Sequence, residues 1–254
     1  MSTSGSSPSP ARVSEEQLPL NLAILLHILP GVLTILFFIF VGRHIASFFS
    51  FPTRFGYSLA HGLILIPFEL GLLLYLGKKR NRTFSLKGIV LYTRSLPWRE
   101  LIPVVACLVI GTAVWVQIQT PLDVFFFNRF FSWLPTWFLM ENSAQGFSGS
   151  ALLVTYLLGF VLTGFIGPLT EELYFHGYLL PRLSRFGLWA PVINSALFMA
   201  YHFHDPWRYV SRIMLAVPLA IAIQRKRSIN FAIGFHCIGN IVGEMSAIAA
   251  IWPS

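Results

Sequence analysis

The chain has 254 residues, of which 55% are hydrophobic and 11% charged, against roughly 25% charged residues in a soluble globular domain. With 24 Phe and 7 Trp it would expose apolar patches far above the few hundred Å² that soluble monomers tolerate. A soluble enzyme is excluded, and the formal net charge of +8 is read by position in a membrane trace before it is read as a nucleic-acid footprint.

Residues 1–17 open with a Ser/Pro-rich stretch without hydrophobic periodicity and read as a disordered tail. The first apolar run is long and leads to Arg43, as a retained span does and a cleaved signal does not. Apolar runs follow near 18–42, 56–77, 101–119, 149–167, 188–204, 208–224 and 229–252, each of roughly membrane-spanning length. They predict an all-α, polytopic helical membrane protein of about seven transmembrane helices. The stretch at 120–142, aromatic-rich with Pro interruptions and scattered charges, reads as an amphipathic segment in the interface. The chain divides into the tail 1–17, the helices and interfacial segment of 18–148, and a helical core at 149–254. Cys107 and Cys237 sit in separate apolar runs and support no disulfide framework.

On this trace thirteen basic residues fall on one side (Arg12, the cluster from Lys78 to Arg99, Arg182, Arg185 and Arg225 to Arg227) and five on the other (Arg43, Arg54, Arg129, Arg208 and Arg212). The positive-inside rule makes the first side cytoplasmic, with the N-terminus there and the C-terminus opposite. No stacking-aromatic motif accompanies the cluster, so no nucleic-acid partner is expected.

Ionisable side chains inside spans are costly and are functional candidates by default. The last third concentrates them, with Glu171, Glu172 and His176 in one segment, His202, His204 and Asp205 in a second, and His236 with Asn240 in a third. At about 1.5 Å of rise per residue, Glu171 and His202 lie roughly 21 and 25 Å from a turn marked by Arg185, and His236 and Asn240 roughly 13 and 20 Å from Arg227. Three segments therefore place polar groups in one layer. The 149–185 stretch would make about 55 Å of helix against a core near 30 Å. A tilt or break is expected, with Gly164, Gly167 and Pro168 to supply it and a helix start near Thr170. The alternative is a loop holding the glutamates at the cytoplasmic surface. Glu172 with His176, and His236 with Asn240, are i,i+4 pairs, a spacing that also serves as interhelical glue.

Three motifs emerge: Glu171-Glu172 continued by Phe175-His176-Gly177-Tyr178-Leu179, Phe198-x-x-x-His202, and His236-x-x-x-Asn240. In order and spacing, over about residues 149–245, they resemble the CAAX protease and bacteriocin-processing (CPBP, or Abi) family of intramembrane glutamic endopeptidases, which includes the type II CAAX prenyl proteases. His176 stands where that family has Arg, exchanging a permanent bidentate cation for an imidazole. The resemblance implies peptide hydrolysis within the bilayer by a water that Glu171 activates. It also implies an active site in the C-terminal helices, with His202, His236 and Asn240 as further catalytic residues, Glu172 and His176 supporting them, and no cofactor. A peptide or lipidated protein is the implied substrate. The residue chemistry agrees, because a carboxylate partly removed from water is a better base near neutrality. Donors at His236 and Asn240 would stabilise an oxyanion.

Other readings of the same residues are a zinc-dependent variant of the protease and a non-hydrolytic scaffold or immunity protein that keeps the fold. Gly146-Phe147-Ser148-Gly149 resembles the nucleophile motif of rhomboid serine proteases, but reads as a helix start capped by Ser148. His61 and Glu69, eight apart in the second span, read as a satisfied buried pair. Glu244, four residues after Asn240, reads as a supporting partner.

Overall fold

The computed structural model describes residues 16–140 and 145–251, so of the expected tail only residues 16 and 17 are described. Helices α1 (Leu20–Phe48), α2 (Thr53–Asn81) and α3 (Trp98–Phe131) are followed by one helical stretch, Gly149–Ala200. A reversal at Gly187 divides that stretch into α4 (149–186) and α5 (Ala190–Ala200). Helices α6 (Tyr209–Lys226) and α7 (Asn230–Ile251) complete the chain. This is a polytopic helical membrane protein of roughly seven long helices, with no strand among the described residues.

Gly187 makes the α4–α5 turn because its φ of 57° lies where a Cβ would clash. Two expectations need correction. Residues 120–131 are not a separate interfacial segment: α3 simply continues to Phe131. It remains helical because Asp123 in its last turns accepts from Ser211 Oγ at 2.6 Å and so is satisfied inside the bundle. Nor does α4 break at Gly164–Pro168. Pro168 offers no N–H, yet the preceding Phe160–Ile166 turns absorb the lost bond by widening to π geometry, and the helix runs on through Glu171. A second π stretch, Glu172–Leu179, carries the first motif.

α1 clamps this second stretch. His27 donates through Nδ1 to Ala23 O at 2.7 Å, so its Nε2 accepts from Asn194 Nδ2 of α5 at 3.0 Å. The same Asn194 amide donates to Phe175 O at 3.0 Å, and Tyr174 Oη donates to Leu26 O at 2.9 Å. Gly31 gives α1 its close approach to the α5 end, where an added Cβ would lie 2.2 Å from Tyr201 O. On the opposite side, the basic 82–97 connection is bonded to α4 twice and to the end of α6 once. Leu91 N donates to Gly177 O at 2.8 Å, Arg94 N to Arg227 O at 3.0 Å, and buried Arg182 Nη1 to Ile89 O at 3.1 Å. Gln17 is fastened too, donating to Ser184 Oγ at 2.9 Å.

Candidate active site

Glu171 ends a short α-helical turn and Glu172 opens the π stretch, both on α4. Glu172 is 1% exposed and so is His176. Glu172 Oε2 accepts from His176 Nδ1 at 2.6 Å, and Oε1 accepts from His236 Nδ1 of α7 at 2.9 Å. One buried carboxylate therefore orients two imidazoles. The His236 side chain keeps 19% exposure, and its second nitrogen, Nε2, lies 3.7 Å from Glu171 Oε2. Glu172 and His176 are thus walled in, whereas the His236 side chain keeps some exposure beside Glu171, which is itself 5% exposed.

α5 supplies the other wall. Phe198 is ringed by His176, His202 and His236 at centroid distances of 5.4, 5.3 and 6.3 Å, so one aromatic side chain gathers the histidines of three segments. His202 Nδ1 donates to Phe198 O at 2.9 Å, which leaves Nε2 as an acceptor. His202 and His204 lie in the connection after α5, outside the helical spans. Burial there pushes both imidazoles well below their ordinary value, and the charge of Arg212 pushes the same way, so both are neutral at physiological pH.

Glu171 has a phenol for its partner. Its Oε1 accepts from Tyr201 Oη at 2.6 Å, and no ion pair within 4 Å joins it to His202 among the described residues. Tyr201 was not singled out by the sequence: a phenol one position before a histidine carries no spacing signal, and only the three-residue step from Phe198 places it on the same side of α5. Asn240 lies one turn beyond His236 and donates to Thr163 O of the first π stretch at 3.0 Å, with its second amide N–H left over. Glu244 does not support Asn240 directly. It accepts from Arg54 Nη2 of α2 at 2.6 Å and from Thr163 Oγ1 at 2.7 Å.

The expected His61–Glu69 pair does not form. His61 Nδ1 donates to Tyr57 O at 3.2 Å, while both carboxyl oxygens of Glu69 are buried without a hydrogen-bond partner. Ser148 caps α4, accepting from Ala151 N at 3.2 Å. Among the described residues no three His, Cys, Asp or Glu side chains are placed to hold one metal ion.

Residues 153–242 match the family model described as Type II CAAX prenyl endopeptidase Rce1-like. No curated protein and no solved structure matches the chain. The matched segment runs from α4 to α7 and contains Glu171, Glu172, His176, Tyr201, His202, His236 and Asn240. This helical core is similar, over those residues, to the Rce1-like type II CAAX prenyl endopeptidases.

Proposed function

We propose that the protein is an intramembrane glutamic endopeptidase that hydrolyses a peptide bond with a water activated by Glu171. The observation that carries this reading is the pair of adjacent carboxylates with divided duties. Glu172 is spent on two imidazoles, whereas Glu171 is held by a single phenol and faces His236. In the reaction, Glu171 takes a proton from water as the oxygen bonds to the scissile carbonyl carbon. His202, through the Nε2 that its backbone bond leaves free, orients that water. His236, as an imidazolium that donates through Nε2 while Nδ1 stays on Glu172, and the second N–H of Asn240 are assigned to the developing oxyanion, a contribution typically worth about 3–4 kcal/mol. When the C–N bond breaks, the proton on Glu171 passes to the leaving nitrogen, giving a carboxylic acid and an amine and restoring the carboxylate.

The substrate is a peptide or lipidated protein reaching the core from the bilayer, and no nucleic acid is involved. The N-terminus and basic loops are placed on the cytoplasmic side and the C-terminus opposite, on the distribution of basic residues. The chemistry is assigned to Glu171 with no resident cofactor.

Comparative peptidomics of membranes carrying the parental protein or Glu171→Gln tests the reading. Peptides released only by the parental protein are expected. Identical peptide sets would reject it in favour of a scaffold that keeps the fold without turnover.

A further inference from the structure

Between α1, α2 and the turn after α5 lies a small cavity of about 20 Å³ whose polar lining is Thr34, Tyr57, His61, Tyr201 and His204. Its lining reaches the candidate site at two points. Tyr201 lines the cavity while its hydroxyl donates to Glu171 at 2.6 Å. His204 lines it while its ring lies 5.6 Å from that of His202. Rings continue around the wall, Tyr57 to His204 at 4.9 Å and Tyr57 to His61 at 4.5 Å. His61 closes the circuit against α4, where a Cβ on Gly167 would lie 3.7 Å from His61 Cδ2, one helical turn before Glu171.

Size and chemistry decide what such a space holds. It is far too small for an organic ligand, but about 20 Å³ exceeds the roughly 10–15 Å³ that one water needs. Apolar cavities of this scale stay dry, but those offering a water two to four polar partners fill. Here the backbone bond of His61 Nδ1 to Tyr57 O leaves Nε2 as an acceptor. The phenols and His204 add further groups of both polarities.

We propose that this cavity is a water-binding site that supplies the hydrolytic water, with Tyr201 as a positioning residue that holds Glu171 Oε1 at its inner end. The supply role rests on the hydrolytic reading of Glu171; the water site does not. A bilayer-embedded hydrolase has to bring water to a carboxylate that lipid and substrate otherwise cover, and this lining joins Glu171 to a polar chamber without crossing the His236 side where substrate binds.

X-ray hydroxyl-radical labelling of the parental protein in nanodiscs tests the site directly, because radicals formed from bound water oxidise the side chains beside it. Tyr57 and Tyr201 are expected to label at least about fivefold faster than Tyr174, which is fully buried with its hydroxyl on Leu26 O. Ile35→Phe, which adds volume at the apolar part of the lining, is expected to bring both down to the Tyr174 rate. Labelling of parental Tyr57 and Tyr201 no faster than Tyr174 would overturn the water site, whatever the activity. Turnover of a farnesylated reporter peptide then tests the supply. Tyr201→Phe, which keeps the ring, should lower kcat about tenfold, as loss of a hydrogen bond to a charged group does, with KM within about twofold. A Tyr201→Phe protein with parental kcat, or an Ile35→Phe protein that loses labelling but not kcat, overturns the supply role. A fully active Glu171→Gln protein would sink the mechanism while leaving the labelling, and the water site, intact.

Discussion

Helices α3 and α4 are both long and apolar, yet they answer to different solvents. Along α3 only Val105 and Asp123 are buried, while Ile102, Ile110, Val114 and Ile118 face outward. Along α4 the residues from Tyr174 to Leu183 are buried without interruption, and two buried glutamates, Glu171 and Glu172, lie just before them. In a membrane protein an apolar run therefore reports only that water is absent. Whether lipid or protein replaces it is decided by small and polar residues: Gly164 and Gly167 let neighbours approach α4, and Glu172 and Thr170 find hydrogen-bond partners within the bundle.

The contrast can be broken from its functional end first. Glu171→Gln should lower kcat/KM by about 10³-fold, the usual weight of a general base, measured as turnover of a membrane peptide at constant expression. Next, Arg54→Met leaves Glu244 buried without its cation, which should cost about 3 kcal/mol. The loss would appear as a lower midpoint in detergent unfolding and should be largely recovered by adding Glu244→Gln. Glu172→Gln should reduce kcat about 100-fold by loosening His236 and His176 together, since misplacement on the ångström scale carries that cost; a reduction confined to KM would show that Glu172 acts on binding instead. Smallest of all, Ile110→Ala on the lipid face of α3 should change stability by no more than about 0.5 kcal/mol, and a larger loss would mean that α3 is covered by another protein surface. Separately, purified protein is expected to contain less than stoichiometric zinc and to keep its activity with a chelator, whereas stoichiometric zinc lost together with activity would restore the metal-dependent reading.

The sequence made the helical class and the layer of candidates legible because both follow from fixed rises and periods. Span length reads from the bilayer thickness, and the Glu172–His176 contact reads from the i,i+4 step. Contacts between distant segments had no such ruler. Glu172 meets His236 across 64 positions and Arg54 meets Glu244 across 190, and only tertiary packing chooses those partners. Helix continuity was misjudged for a related reason. Pro168 and its glycines weaken an isolated helix, but α2 and α7 pack against the weak turns and hold them as π geometry.

The split of partners on Glu172 has a temporal side. His176 emerges from synthesis four residues after Glu172 and satisfies one oxygen locally, whereas His236 arrives only with the last helix. Until then Glu171 has no imidazole opposite it and Glu172 holds half of its final bonds. A nascent or truncated chain ending before α7 therefore holds Glu171 without its neighbouring imidazole, and the arrangement on which the proposed reaction depends is completed only with the last helix.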